Sequence, residues 1–244
     1  MKRFIEELKY LNRGMPTTTK IIIVVILLYV ILSFGKNLIF NPSIFINIVI
    51  LIFSLLVHEL SHGVMAFICG DNTAKRYGRL SLNPLNHLDP LGTIFPILLI
   101  LSGSSFVFGW AKPVPINYYR LKYGRVGEFL VAIAGVLSNI LLAILGMFMF
   151  KYMYEILIVT HLIEPVLYLI SLNILLAVFN IMPIPPLDGS RVLAAIGNYD
   201  LRESIFSMDR YGIFIIMILS WIGLLYKFIA PVYMAILSFL DKII

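Results

Sequence analysis

Charge is scarce in this 244-residue chain: Asp, Glu, Lys and Arg make up 13% of it, against about 25% in ordinary soluble domains. Cysteine is almost missing, and the single Cys69 cannot close an internal bridge, which excludes a secreted disulfide scaffold. The 13 acidic residues are outnumbered by 19 Lys and Arg, for a net charge of +6. No basic run with interleaved aromatics accompanies that excess, so nucleic acid is not an expected partner. The low hydrophobicity that marks disorder is absent too. What remains is a chain that is 60% hydrophobic with a mean hydropathy of +0.96, an integral membrane protein of about one domain.

Internal repeats, low-complexity tracts and interdomain linkers are also lacking. Residues 1–20 carry Lys2, Arg3, Lys9, Arg13 and Lys20 beside Glu6 and Glu7. No small-residue cleavage site follows the apolar run after them, so this segment does not read as a signal peptide. No appended soluble domain is expected after the last span.

A membrane helix needs about 20 apolar residues to cross ~30 Å of hydrocarbon. Candidate spans are residues 21–34, 43–68, 127–150 and 162–182, with a last apolar stretch at 211–240. Lys227 and Pro231 interrupt that stretch, which reads as one span followed by a kinked or interfacial tail. Basic residues collect in the N-terminal segment, at Lys75, Arg76 and Arg79, at Lys112, Arg120, Lys122 and Arg125, and at Arg191, Arg202 and Arg210. The other loops hold little more than Lys36 and Lys151. Cytoplasmic loops concentrate Lys and Arg, which places the N-terminus in the cytoplasm of a multi-pass cell-membrane protein. The pattern closes if residues 93–103, too short to span and containing Pro96, enter and leave on the cytoplasmic side. The expected fold is thus all-α: a bundle of about five to six transmembrane helices with a re-entrant or β-hairpin element between the second and third spans. It forms a single membrane-embedded domain over 1–244, with its catalytic core at 43–193.

Inside the second span lies His58-Glu59-Leu60-Ser61-His62. On a helix, positions i and i+4 share a face, so both imidazoles can reach one cation while Glu59 serves as base on a water. An H-E-x-x-H arises by chance in roughly 0.2% of shuffles of such a composition. Each ionisable residue at a helix centre costs ~2.5–3.5 kcal/mol on insertion scales, and a structural zinc site returns ~10–16 kcal/mol. Two histidines that merely bond neighbouring helices would leave Glu59 unexplained. A catalytic zinc takes a third protein ligand and keeps one position open. Asp188 follows Pro183, Pro185 and Pro186 and precedes Gly189, so broken backbone presents it. From those residues alone it is either a ligand or a solvated helix-terminating Asp, and Glu128 is the runner-up ligand unless it pairs with Arg125.

H-E-x-x-H in one span, joined to the run Asn180-Ile181-Met182-Pro183-Ile184-Pro185-Pro186-Leu187-Asp188-Gly189 after a later one, resembles the site-2 protease family of intramembrane zinc metalloproteases. Three stretches agree: Leu82–Thr93, Phe108–Asn117 and Ala134-Gly135-Val136-Leu137-Ser138-Asn139. The match covers about residues 51–193 and fits the compact branch without PDZ or CBS modules. Val136 stands where the family usually has proline. The resemblance implies one Zn2+ per chain held by His58, His62 and Asp188, with Glu59 as general base. Asn139 is expected to line the site and position the substrate backbone or the oxyanion.

Asn180 is expected either to hydrogen-bond near the metal or to satisfy carbonyls freed by Pro183, and His87 to support the site or a loop network. The implied activity is peptide hydrolysis in or near transmembrane segments of membrane-protein substrates. The implied partners are that substrate, the lipid bilayer and a regulatory membrane protein, without nucleic acid. The alternatives are a zinc-binding transporter or a non-proteolytic homologue. Transport predicts ligands at several depths, and a dead homologue predicts loss of Glu59. A prenyl-protein type of intramembrane protease would draw its third ligand from a later E-x-x-x-H/D pattern, which is missing.

Overall fold

The computed structural model describes residues 42–83, 86–87 and 113–243. The expected span at 21–34 and the expected re-entrant element at 93–103 lie outside the described residues, as do Lys112 and Asp89. Among the described residues there are eight α-helices, one short 3₁₀ turn and no strand. Four of these described helices are long and apolar enough to cross a membrane. The bilayer offers backbone groups no water, so a helix that satisfies its own N–H and C=O groups is the form such apolar stretches take.

The chain divides into two compact units, residues 1–56 with 81–113, and residues 57–80 with 114–244. Helix α1 (Pro42–Ile68) begins in the first and ends in the second. In the first unit its buried residues are Leu51, Ser54 and Leu56. The loop of that unit is closed by Asn86 N–H on the Asn83 carbonyl (3.0 Å) and by His87 Nε2 on the Ser81 carbonyl (2.8 Å).

The second unit starts with the end of α1, where Gly70 takes φ +98°. Asp71 N–H reaches the Ala66 carbonyl and Gly70 N–H the Phe67 carbonyl, the paired closure that a glycine in left-handed conformation permits. Helix α2 (Thr73–Arg76) follows at once. Asp71 is fully buried and accepts from Thr73 N–H (2.9 Å), the Thr73 hydroxyl (2.5 Å) and Asn117 N–H (2.7 Å). Burial alone would raise its carboxyl. The Thr73 hydroxyl, the two backbone donors and the charge of Arg120 outweigh that and hold it below the ordinary carboxylate value.

Helix α3 (Gly124–Tyr152) carries a stripe of small or compact buried residues four apart: Gly127, Val131, Gly135, Asn139 and Ala143. Small side chains let helix backbones approach closely where lipid supplies no hydrophobic drive. Short α4 (Tyr154–Val159) leads to α5 (Ile163–Asn180), whose Val166, Ile170, Ile174 and Val178 pack with Ala143 and Leu157 in one apolar cluster. After the proline-rich turn come α6 (Asp188–Ile196), α7 (Tyr199–Trp221) and α8 (Leu224–Ile243). Helix α3 packs on α5 and α6, α7 on α6 and α8, and α8 on α5.

The last apolar stretch departs from expectation. Its helix starts at Tyr199, not near 211, because Asn198 caps it by accepting Leu201 N–H (2.9 Å) and the polar residues 199–210 sit on helix. The break falls at Gly223 (φ +72°), whereas Pro231 lies inside α8. By length and composition α7 is a candidate span and residues 224–240 form a shorter apolar helix.

Candidate metal centre

One helical turn separates His58 from His62, so α1 projects both imidazoles from one face. They are 6% and 7% exposed, with rings edge to face and centroids 4.8 Å apart. Each Nδ1 is bound: that of His58 lies 2.6 Å from Asn139 Oδ1, and that of His62 lies 2.7 Å from the Val131 carbonyl. Both partners stand on the α3 stripe. The two Nε2 atoms are 3.2 Å apart.

Asp188 joins them from the first turn of α6. Three prolines between Asn180 and Asp188 prevent α5 from continuing, and Leu187, in extended conformation, sets the entry to α6. Asp188 Oδ2 lies 3.2 Å from the Nε2 of His58 and 3.2 Å from that of His62. Two glycines make this approach possible. A Cβ on Gly135 would intrude on both imidazoles, 2.6 Å from His58 Cε1, and a Cβ on Gly189 would run into the backbone of Ile181 and Met182. Gly212 of α7 plays the same part behind the turn, against Pro185 and Pro186.

These three atoms suit a metal. Ligands ~2.0–2.1 Å from a tetrahedral zinc stand about 3.3 Å from one another. The observed triangle has sides of 3.2 Å. Asp188 Oδ2 is buried without a hydrogen-bond partner. Two imidazole nitrogens and a carboxylate oxygen are the donor set zinc takes. Among the described residues they are the group of His, Cys, Asp and Glu placed to hold an ion.

Glu59, half-buried, accepts the Val114 backbone N–H at 3.1 Å. Val114, between Pro113 and Pro115, belongs to an irregular run that ends at Asn117, whose N–H is tied to Asp71. Gly63 gives this run room, since a Cβ there would meet Leu80 and Val114 Cγ1 (3.0 Å).

Residues 153–222, a stretch that includes Asp188 but not the histidine pair, match the family described as Peptidase family M50. A Bacillus subtilis (strain 168) protein named "Putative zinc metalloprotease YwhC" is 39% identical over 178 residues, covering 70% of this chain and 78% of the relative. The chain belongs to peptidase family M50. A Mycolicibacterium smegmatis protein named "Putative zinc metalloprotease Rip2" is 26% identical over 169 residues, 68% of this M50 chain and 62% of that one. No solved structure matches.

The remaining sequence candidates fall as follows. Asn139 is fully buried, with Oδ1 facing His58 Nδ1 and one N–H of Nδ2 donating to Asn173 Oδ1 (2.8 Å). The Asn180 amide nitrogen donates to the Leu176 carbonyl of its own helix (2.9 Å). His87 is buried in the loop of the other unit. Glu128 pairs with Arg202 of α7 (2.6 Å) and not with Arg125, because Arg125 extends to the Gly197 carbonyl at the end of α6. Sequence reasoning gave no role to Gly135, Gly212, Asn173 or the Val114 N–H. Gly135 and Val114 lie in stretches that match the family pattern, and Asn173 is an amide within an apolar span.

Proposed function

We propose that this M50 chain hydrolyses peptide bonds in or near the transmembrane segments of membrane-protein substrates, at one zinc held by His58, His62 and Asp188. The observation that carries it is the 3.2 Å triangle of two imidazole nitrogens and a carboxylate oxygen at the base of a proline-broken turn. Zinc bound there supplies a Lewis acid that makes water nucleophilic near neutral pH and polarises the peptide carbonyl. Glu59 takes the proton of the attacking water on its carboxylate and returns it to the leaving amine nitrogen as the C–N bond breaks. The Val114 N–H holds one carboxylate oxygen of Glu59 and leaves the other to carry that proton. A transmembrane substrate must unwind before its carbonyl is exposed, because helical hydrogen bonds occupy it.

The chain is read as one membrane-embedded catalytic domain of five to six spans with a re-entrant element at 93–103 and its N-terminus in the cytoplasm. The Lys and Arg distribution supports that orientation. A transporter reading is not favoured, since the candidate ligands among the described residues gather at one point rather than along a path.

The test is cleavage of a panel of single-span substrates by the purified full chain in detergent micelles. Glu59→Gln is expected to lower the rate about 10²–10⁴-fold, the usual weight of a general base, and a zinc chelator to abolish it. Cleavage that survives Glu59→Gln overturns the assignment of the base.

A further inference from the structure

A row of buried polar side chains runs away from the metal centre through the α3–α5 contact. His58 Nδ1 meets Asn139 Oδ1 at 2.6 Å, Asn139 Nδ2 meets Asn173 Oδ1 at 2.8 Å, and Asn173 Nδ2 meets the Leu169 carbonyl at 2.9 Å. Asn139 and Asn173 are both fully buried in helices apolar enough to be candidate membrane spans. We infer that Asn173 is a positioning residue of the metal centre: acting through Asn139, it fixes the proton of His58 on Nδ1 and aims Nε2 at the ion as a bare lone pair. This rests on the reading of His58, His62 and Asp188 as zinc ligands.

The direction of the row follows from its far end. A backbone carbonyl can only accept, so the Asn173 atom facing Leu169 must be the amide nitrogen, and its oxygen must face Asn139. That oxygen also only accepts, so Asn139 turns its nitrogen toward α5 and its oxygen toward α1. His58 Nδ1 then has one role left, to donate. Each amide orientation is set by its neighbour rather than chosen freely, and the chain of dictation ends at the imidazole. His62 reaches the same tautomer by a shorter route, since its Nδ1 faces the Val131 carbonyl directly. Two side-chain amides thus do for one histidine what a backbone carbonyl does for the other. Partners of this kind raise ligand basicity and hold ring orientation, and their loss weakens metal binding about 10–100-fold.

A merely structural role for Asn173, tying α5 to α3, predicts lost stability with zinc affinity intact. The experiment measures zinc affinity of the full chain in detergent micelles by competition with a chromophoric chelator, alongside thermal unfolding. Asn173→Ala is expected to weaken zinc about 10–100-fold. Asn173→Asp keeps an oxygen for Asn139 Nδ2 and is expected to lose less than about tenfold, short of the range for a lost partner. Adding Asn173→Ala to Asn139→Ala is expected to cost no further affinity, because residue 173 acts only through 139. Unchanged affinity in Asn173→Ala, or a full additive loss in the double variant, overturns the inference. If Asn173→Ala does not fold, Asn173→Asp decides: wild-type affinity supports the relay and a tenfold loss overturns it. A wild-type chain that binds no zinc, and that His58→Ala leaves unchanged, overturns the ligand reading and the relay with it.

Discussion

Helices α3 and α7 are both long and apolar enough to cross a bilayer, yet they are held in opposite ways. Half of the most apolar window of α3 is buried, against 17% of that of α7. The buried face of α3 is mostly glycine, alanine and small polar residues, and side chains of α1 and α5 fill the space that a Cβ on Gly135 or Gly146 would take. Helix α7 buries only Ile205, Gly212 and Ile216, and its polar first half is fastened by charge. Arg202 reaches Glu128 of α3 and Asp209 receives Arg191 of α6, each at 2.6 Å, while both arginines lie over the Phe206 ring at 5.4 and 4.5 Å. Where ligand atoms must be placed to tenths of an ångström, the chain relies on missing side chains, which cannot rotate away. Where a helix need only be kept alongside, it relies on long side chains reaching across.

Three measurements sharpen that contrast. The largest effect is expected at Gly135→Ala, where a single methyl would occupy the space of the two imidazoles. Zinc content per chain should fall well below wild type and cleavage with it; a fully loaded variant would show that close approach is not what holds the site. Next in size is Arg202→Met, which keeps an apolar stem and removes the charge from Glu128. It is expected to lower stability to unfolding by about 1.5–3 kcal/mol, the range for a hydrogen bond to a charged group, with zinc stoichiometry unchanged. A loss of metal here would place α7 among the elements that form the centre. The smallest belongs to Phe214→Ala, on a side chain 61% exposed on α7, within about 0.5 kcal/mol in a stability titration. A larger loss would mean that another chain covers this face.

Much of the centre was legible before the fold was known, because its residues are chemically out of place. Histidine, glutamate and aspartate inside apolar sequence are costly, so their spacing and the proline-broken turn speak for themselves. The structure places two of those histidines and the aspartate around one point. The supports were not legible for an equally physical reason. Nothing local tells Asn139 to turn to Asn173, a residue 34 positions away, or tells Glu128 to prefer Arg202 of α7 over Arg125 one turn behind it. Gly135 reads as one small residue in a helix until the rings that need its emptiness are known. The start of α7 was hidden because residues 199–210 are polar, and hydropathy marks only the part of a helix that meets lipid.

The histidine pair stands near the start of the second unit and Asp188 far along the chain from it, with α2 to α5 between them. A divalent ion gripping both is therefore a clasp on a long ring of chain, and opening it returns the entropy of that ring to the unfolded ensemble. A chelator would then loosen the molecule as well as silence it, and the midpoint of a melting curve would report how much of the sample is loaded.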